Sequence, residues 1–199
     1  FEMLTFVNRR ILVTGAKGFI GKNLIWHLRE LSHVHVSTFG RDDDIKCLKT
    51  LLRDADFVIH LAGENRPEDP MAFAKVNAEL TSALCETVKE EISTSGRKIP
   101  VLLASSIQAA QDNPYGRSKL AAEKALQRLA QSTGNPCLIF RLPGVFGKWC
   151  RPNYNSVVAT FCHQLARNLP IQVNDPAAVI KLVYVDDVIK SMLDSLESP

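Results

Sequence analysis

The chain has 199 residues, of which 46% are hydrophobic, and its formal net charge is only +3. This length and composition suit one globular domain with a substantial core, and the small charge without a basic run argues against a nucleic-acid-binding protein. No apolar stretch approaches a membrane span and the N-terminus lacks a signal-peptide layout, so we expect a protein that does not bind membranes. The five cysteines are scattered without a Cys-x-x-Cys pair, which favours neither a disulfide framework nor a zinc site, so we expect no metal and a reducing, cytoplasmic location.

Apolar strands alternate with helices along the chain. The predicted elements are strand 10–13, helix 18–31, strand 34–39, helix 45–53, strand 57–62, helix 70–92, strand 101–104, helix 115–132, strand 137–141, helix 155–168, strands 171–173 and 180–184, and a helix from 186 onward. This alternation predicts an α/β fold with a doubly wound parallel sheet. Ligands of such sheets bind at the carboxyl ends of the strands, which is where we expect the functional site.

The first predicted strand leads into Gly15, Gly18 and Gly21, in a G-x-x-G-x-x-G pattern. Glycines at these positions allow a tight turn and a close approach to a diphosphate, which the N–H groups of the next helix would face. A glycine turn that only packs a helix against a strand is the alternative. The residues expected to contact a dinucleotide here and after the third strand are Gly15, Lys17, Gly18, Phe19, Ile20, Leu61, Ala62 and Gly63.

The end of the second strand indicates which nicotinamide nucleotide would bind. NAD-binding folds usually carry Asp or Glu there for the ribose 2′-hydroxyl, whereas this chain carries Arg41. A guanidinium suits a 2′-phosphate, and Lys17 in the glycine loop adds a second cation. We therefore expect NADP(H), with surface pairing of Arg41 to the run 42–44 as the alternative.

Tyr115 and Lys119 form a Tyr-x-x-x-Lys pair, and positions i and i+4 share one face of a helix. An ammonium beside a phenol lowers the tyrosine pKa, so the pair can exchange a proton with an alcohol oxygen while hydride moves between carbon and nicotinamide. Ser105 or Ser106, at the end of the preceding strand, can hold that oxygen. An exposed helix pair that arises by chance is the alternative.

Motifs along nearly the whole chain carry a family resemblance. They are Thr14–Gly21, His60–Gly63, Ser105–Ser106, Tyr115-x-x-x-Lys119 and Arg141–Gly147. Together they resemble the extended short-chain dehydrogenase/reductases that act on nucleotide sugars. The resemblance implies a Rossmann-type fold with Tyr115 as general acid/base and Lys119 as pKa-lowering cation and ribose ligand. It also favours Ser106 over Ser105 for the oxygen. Asn77 matches a family asparagine that supports the site, with a solvated helix residue as the alternative.

The stretches 62–67, 105–109, 111–116 and 146–157 add a closer resemblance, to bacterial capsular-polysaccharide enzymes that make UDP-N-acetyl-L-fucosamine precursors. In that family a reductase domain uses NADPH to reduce the C4 ketone of a UDP-2-acetamido-2,6-dideoxy-4-hexulose, and a C-terminal cupin domain epimerises C3. The resemblance therefore implies a UDP-linked keto sugar as substrate. Members of the wider reductase family usually dimerise, which implies a homodimer, whereas the capsular branch uses its cupin domain in assembly.

The chain departs from the family pattern in three respects. The usual third strand, with its acidic adenine contact, is missing, and Gly144 stands where the family's Arg-x-x-Asn motif has asparagine. The chain also ends at Pro199. We therefore expect residues 1–199 to be a truncated reductase domain without the cupin, with its substrate-binding elements at about 144–199.

Basic and amide side chains on the loops at strand ends suit a diphosphate and sugar hydroxyls. The expected UDP-sugar contacts are Arg66, Lys148, Arg151, Asn153 and Asn155, each with a plain solvated residue as the alternative. His60 lies within an apolar strand and is expected to be a packed core histidine rather than a base.

Two other functions are kept as alternatives. One is a nucleotide-sugar epimerase or dehydratase that retains NAD(P), and the other is a non-catalytic NADP-binding domain. A dehydratase also needs an acid/base pair after the strand-end serine, commonly Asp-Glu, whereas Ile107, Gln108 and Ala109 follow Ser106 here.

Overall fold

The computed structural model describes residues 8–64 and 74–196. In chain order its elements are β1 (Arg9–Thr14), α1 (Phe19–Arg29), β2 (Val34–Phe39), α2 (Ile45–Asp54), β3 (Phe57–His60), a π-helical turn (Ala74–Glu79), α3 (Leu80–Ser95), β4 (Val101–Ser106), a 3₁₀ turn (Ile107–Ala110), α4 (Pro114–Thr133), β5 (Cys137–Leu142), β6 (Gly144–Phe146), α5 (Val157–Leu165), β7 (Leu182–Tyr184) and α6 (Val185–Asp194).

Strands β1 to β5 form one parallel sheet in the order β2-β1-β3-β4-β5, and β6 pairs in parallel with β7. The sheet confirms the predicted doubly wound α/β fold. From β2 at the edge, the chain returns through α2 to β3 beside β1, so the usual third strand is missing as predicted. The strand order reverses between β1 and β3, which is the place where such sheets bind ligands.

Each face of the sheet packs against its own helices because side chains alternate along a strand. Leu12 of β1 belongs to the hydrophobic cluster that includes α2, α3 and α4, through residues such as Leu52 and Leu126. Its neighbours Ile11 and Val13 belong to the opposite cluster, which α1 and α6 cover. The strands are therefore buried on both sides, as their nearly continuous apolar sequences require.

Polar caps explain where several helices begin. The Asp44 carboxylate accepts from the Lys46 N–H at the start of α2, and Ser156 Oγ accepts from the Ala159 N–H at the start of α5. Asn113 caps α4 in the same way by accepting from the Gly116 N–H at 2.7 Å, and Pro114 occupies the first turn. These caps fix the start of α4, the helix that carries the Tyr-x-x-x-Lys pair.

The structure corrects four predicted elements. Residues 171–173 form no strand and are exposed, because Ile and Val favour a strand only where a partner strand lies beside them. The strand predicted at 180–184 is reduced to β7, which pairs with β6, a strand that was not predicted. The helix predicted over 155–168 spans only Val157–Leu165. The helix predicted over 70–92 begins, within the described residues, as the π-helical turn and continues to Ser95.

Candidate active site

The turn between β1 and α1 requires glycine at two positions. Gly15 has φ +72°, and a Cβ on it would lie 2.6 Å from the Ala62 backbone nitrogen. A Cβ on Gly21 would lie 2.3 Å from the Gly15 carbonyl oxygen. The packing of the turn therefore requires glycine at both positions, independently of any ligand that the turn binds.

Gly18 has a different environment that suits an anion. A Cβ on it would meet only the Gly15 oxygen at 3.2 Å, and it forms the N-cap of α1 with an extended backbone and no side-chain cap bond. The first turn of α1 also contains no acidic residue. Its N–H groups are thus open to a diphosphate, with the helix dipole in its favour, so these residues fit a dinucleotide.

The two cations expected at a 2′-phosphate form surface ion pairs. Arg41 Nη2 lies 3.0 Å from Glu64 Oε2, and Lys17 Nζ lies 2.9 Å from Asp42 Oδ2. The alternative predicted a surface ion pair of Arg41 with residues 42–44. Arg41 does form a surface ion pair, but its partner is Glu64, which follows β3. The Arg41 side chain is 82% exposed, and exposed pairs contribute little stability, so the guanidinium could exchange Glu64 for a phosphate.

Lys119 is buried on the inner face of α4 rather than on an exposed helix face. Its ammonium donates to the Ala104 carbonyl oxygen at 3.1 Å and lies 5.8 Å from the centre of the Tyr115 ring. The alternative of a chance exposed pair is therefore wrong for Lys119, which is 6% exposed. Burial lowers the pKa of Lys119 to about 8, while the Glu123 carboxylate opposes that shift.

Tyr115 and Ser106 face each other across the ends of α4 and β4. Burial raises the pKa of the Tyr115 phenol, and its hydrogen bond with Ser106 acts in the opposite direction with a smaller effect. The expectation that the net pKa of Tyr115 is lowered is therefore wrong for this structure, because desolvation of the phenolate outweighs the contacts that stabilise it. The geometry leaves Tyr115 protonated at neutral pH, which is the state that a proton donor needs.

The two strand-end serines have separate environments. Ser105 Oγ donates to Glu123 Oε1 at 2.5 Å, so its hydroxyl is directed into the packing between β4 and α4. Ser106, the next residue along β4, instead contacts Tyr115. Of the two candidates, Ser106 is therefore the one beside the phenol.

Sequence reasoning missed Glu123, which is buried on α4 one turn after Lys119. Arg141 donates to it from Nε at 2.9 Å and from Nη2 at 2.7 Å. Burial raises the pKa of Glu123, but these bonds, that of Ser105 and the nearby Lys119 ammonium together lower it below its usual value. The sequence signal that could have revealed Glu123 is its spacing, since residues 115, 119 and 123 recur every fourth position on one helix face.

Asn77 lies in the π-helical turn and is 2% exposed, so the alternative of a solvated residue is wrong. Its side chain accepts from the Glu64 N–H at 2.8 Å and donates to the Glu64 carbonyl at 3.1 Å. It also donates to Ser118 Oγ at 3.0 Å, and Ser118 in turn donates to the Tyr115 carbonyl at 2.7 Å. Asn77 therefore joins the loop after β3 to the first turns of α4.

His60 is a buried core histidine, as expected. Thr81 Oγ1 donates to the Asn77 carbonyl at 2.6 Å, so it accepts from His60 Nε2 at 2.9 Å. His60 Nδ1 then accepts from Thr14 Oγ1 at 2.6 Å. This assigns the neutral Nε2–H tautomer, in agreement with a pKa that burial, with a contribution from the Lys119 charge, lowers to about 3.

The expected sugar contacts lie on the exposed segment after β6, except for Arg66, which lies outside the described residues. Lys148 Nζ lies 3.4 Å from Asp186 Oδ1, and the Arg151 guanidinium stands over the Tyr154 ring at 5.5 Å. Asn153 has φ 55° and donates from its backbone N–H to Thr160 Oγ1. Asn155 is exposed. Their role in binding stays a prediction.

Gly144 occupies a crowded position between β6 and the chain that enters β7. A Cβ there would lie 3.0 Å from Leu182 Cδ2 and 3.2 Å from the Lys181 carbonyl oxygen. An asparagine at this position would therefore have to displace its neighbours. The close approach of these two segments favours a residue without a side chain at position 144.

Residues 8–64 and 74–196 contain no group of three or more His, Cys, Asp or Glu side chains that could hold a metal ion. None of their helices combines the length and hydrophobicity that a membrane span requires.

The chain is similar to nucleotide-sugar enzymes in sequence and structure. It is 53% identical over 188 residues to UDP-2-acetamido-2,6-beta-L-arabino-hexul-4-ose reductase of Pseudomonas aeruginosa, covering 94% of this chain and 50% of that protein. It is 44% identical to the crystal structure of the capsular polysaccharide assembling protein CapF from Staphylococcus aureus, with a TM-score of 0.81, again covering 94% and 50%. These similarities confirm the resemblance to capsular-polysaccharide enzymes, although the chain spans about half the length of these relatives.

A more distant structure shares the fold alone. UDP-glucuronic acid 4-epimerase from Bacillus cereus, in complex with UDP-glucuronic acid and NAD, is 24% identical with a TM-score of 0.81, covering 95% of this chain and 73% of that protein. The model of the NAD dependent epimerase/dehydratase family matches residues 11–199. Together with the parallel sheet and the Tyr115–Lys119 helix, this match shows that the chain belongs to the NAD dependent epimerase/dehydratase family, the extended short-chain dehydrogenase/reductases.

Proposed function

We propose that the chain reduces the C4 ketone of a UDP-2-acetamido-2,6-dideoxy-4-hexulose with NADPH, as a step of capsular or surface polysaccharide synthesis. The observation that carries this proposal is the group formed by Ser106, Tyr115 and Lys119 at the carboxyl end of β4. The name of the Pseudomonas relative supports the same substrate class.

The protonation state of the site suits the reduction of a ketone. Tyr115 is protonated at neutral pH, and burial raises its pKa further, so the phenol can donate its proton to the ketone oxygen. Ser106, in contact with the phenol, is positioned to hydrogen-bond the same oxygen. With a pKa of about 8, Lys119 is mostly an ammonium at pH 7 and stabilises the phenolate left by proton transfer.

A nicotinamide nucleotide bound at the glycine turn would supply the hydride. The residues that would hold it are the N-terminal turn of α1 for the diphosphate and Lys119 for the ribose. Gly63 borders the same space, since a Cβ on it would lie 3.1 Å from Lys119 Nζ. Arg41 and Lys17, cations on the adenosine side, favour NADP(H) over NAD(H) because each can exchange a surface carboxylate for a phosphate.

The exposed segment after β6 is the proposed UDP-sugar side of the site. Lys148 and Arg151 would pair with the diphosphate, and Asn153 and Asn155 would bind hydroxyl or acetamido groups. We include Arg66 in this set on its sequence position alone. A cytoplasmic homodimer is part of the same proposal, and light scattering of the purified chain tests the dimer.

The test is an assay of the 199-residue chain with the 4-keto UDP-sugar and either NADPH or NADH. We expect stoichiometric loss of NADPH absorbance with formation of the C4 alcohol, slower loss of NADH, and a fall of at least about 10²-fold in Tyr115→Phe. An interconverted sugar without net nucleotide consumption would identify an epimerase instead. Nucleotide binding without turnover would support a non-catalytic domain.

A further inference from the structure

Glu123 joins the helix of the Tyr-x-x-x-Lys pair to two strands of the sheet. Its carboxylate is 2% exposed and accepts from Ser105 on β4 and from Arg141 on β5. Ser105 and Arg141 are direct neighbours in the register of these strands. One buried carboxylate therefore holds the carboxyl ends of β4 and β5 against α4, through charge-assisted hydrogen bonds that are among the stronger kinds in proteins.

Ser105, the residue of β4 that Glu123 binds, lies between the two residues of β4 that contact Lys119 and Tyr115. Ala104, which accepts from Lys119, directly precedes Ser105. Ser106, which contacts Tyr115, directly follows it. A shift of Ser105 away from α4 would therefore lengthen both contacts together.

Glu123 also acts on Lys119 through its charge. Burial drives the ammonium toward the neutral form, and Glu123 is the carboxylate that opposes this effect. The other titratable groups that face Lys119 in the described part of the chain are Tyr115 on α4 and the neutral His60 on β3. Arg141 on β5 partly neutralises Glu123 from its far side.

We propose that Glu123 is a positioning residue that places a buried negative charge one turn of α4 away from the Lys119 ammonium and holds the end of β4 against the helix that carries Tyr115. The catalytic part of this role depends on the function proposed above, whereas the effect on Lys119 does not. Glu123 itself contacts Ser105 and Arg141, and the proposal gives it no contact with the substrate.

The two substitutions that test this role act in opposite directions on Lys119. Glu123→Gln removes the negative charge while keeping the size, so the titration midpoint of Lys119 should fall by about one pH unit. Arg141→Gln leaves the Glu123 charge less neutralised, so the midpoint should rise. Glu91→Gln on α3 removes another buried carboxylate and should leave the midpoint unchanged. Lysine side-chain NMR measures the midpoint, with the Lys119 signal assigned by its absence in Lys119→Arg.

Activity adds a second readout that a merely structural role would not move. In Glu123→Gln the alkaline limit of NADPH-dependent turnover should shift to lower pH, so that the loss of kcat is about fivefold greater at pH 8 than at pH 6. An equal loss at both pH values, with an unmoved Lys119 midpoint in both folded variants, would overturn the proposal. If Glu123→Gln does not fold, an unmoved midpoint in Arg141→Gln is enough. The NMR titration needs no turnover, so an inactive wild-type chain contradicts the proposed function and leaves this test intact.

Discussion

Thr14 Oγ1 and His60 Nδ1 lie 2.6 Å apart, on the neighbouring parallel strands β1 and β3. The Ala62 N–H donates to the same threonine oxygen at 3.1 Å. The Thr14 hydroxyl proton therefore points to the histidine, which must accept it as a neutral ring. This arrangement makes the end of β3, where the dinucleotide is expected, sensitive to the protonation of a side chain that never reaches the solvent.

The pKa of His60 predicts an acid-sensitive fold. The ring takes up a proton at its ordinary 6.5 in the unfolded chain but only at about 3 in the folded one. Stability contributed by the neutral ring is therefore complete above pH 6.5 and is lost progressively as the pH falls toward 3. We expect urea unfolding to show a loss on the order of a few kcal/mol between pH 7 and pH 4 from this group.

His60→Leu separates this contribution from other titrations. It should cost about 2 kcal/mol or more at pH 7, because the hydroxyls of Thr14 and Thr81 lose a partner, but its stability should depend less on pH between 7 and 4. The exposed His33 gives a matched control, since His33→Gln should keep the wild-type pH dependence. An equally steep loss of stability in His60→Leu would contradict the assigned neutral tautomer.

The buried Lys119 ammonium is expected to lower the free energy of unfolding of the chain. Its pKa of about 8 in the folded chain lies below the ordinary 10.5 of the unfolded one. The cost is therefore fully present below pH 8 and declines as the pH rises from 8 toward 10.5, because only the folded chain has then released the proton. Lys119→Met should stabilise the chain at pH 7 by roughly 1–3 kcal/mol while abolishing activity.

Urea unfolding of Lys119→Met and the wild type at pH 7 and pH 9 measures this effect. The stability difference should shrink at the higher pH. Lys124→Met, at an exposed position of the same helix, should change stability little at either pH. A destabilised Lys119→Met at pH 7 would mean that the bond to Ala104 outweighs the cost of burying the charge.

The sequence was sufficient for those parts of the site that lie close together along the chain. The strand–turn–helix at Gly15 and the Tyr115–Lys119 spacing are local features, so glycine positions and helical periodicity predict them directly. The missing third strand was also predictable, because only a short helical segment separates β2 from β3.

The partners of charged groups could not be predicted in the same way. Arg41 pairs with Glu64 because β2 and β3 end at the same edge of the sheet, and Glu123 pairs with Arg141 because α4 packs against β4 and β5. Periodic spacing can indicate which face of a helix is buried, but which side chains meet across elements depends on strand register and on how the helices pack on the sheet. The same holds for the pKa of Tyr115, where the spacing to Lys119 indicated a decrease and burial produces an increase.

The pair formed by Arg41 and Glu64 predicts how cofactor preference can be changed. Arg41→Ala should weaken NADPH binding about tenfold or more while leaving NADH binding nearly unchanged, because only NADPH carries the 2′-phosphate. Glu64→Gln should strengthen NADPH binding a few-fold, since the guanidinium no longer exchanges one anion for another. Fluorescence titration of each nucleotide measures both constants. Equal loss of NADPH and NADH affinity in Arg41→Ala would mean that the guanidinium binds a part of the nucleotide that NADPH and NADH share.

Gly15 and Gly96 allow backbone strain to be separated from close packing. Both adopt nearly the same positive φ, +72° and +71°, but a Cβ on Gly96 meets nothing within 4 Å, whereas one on Gly15 lies 2.6 Å from the Ala62 nitrogen. Gly96→Ala should therefore cost only about 1–2 kcal/mol for the left-handed backbone. Gly15→Ala should cost about 1–3 kcal/mol more than Gly96→Ala, because the chain that follows β3 must move away from the turn. Urea unfolding measures both, and equal costs would show that the turn and the end of β3 can separate freely.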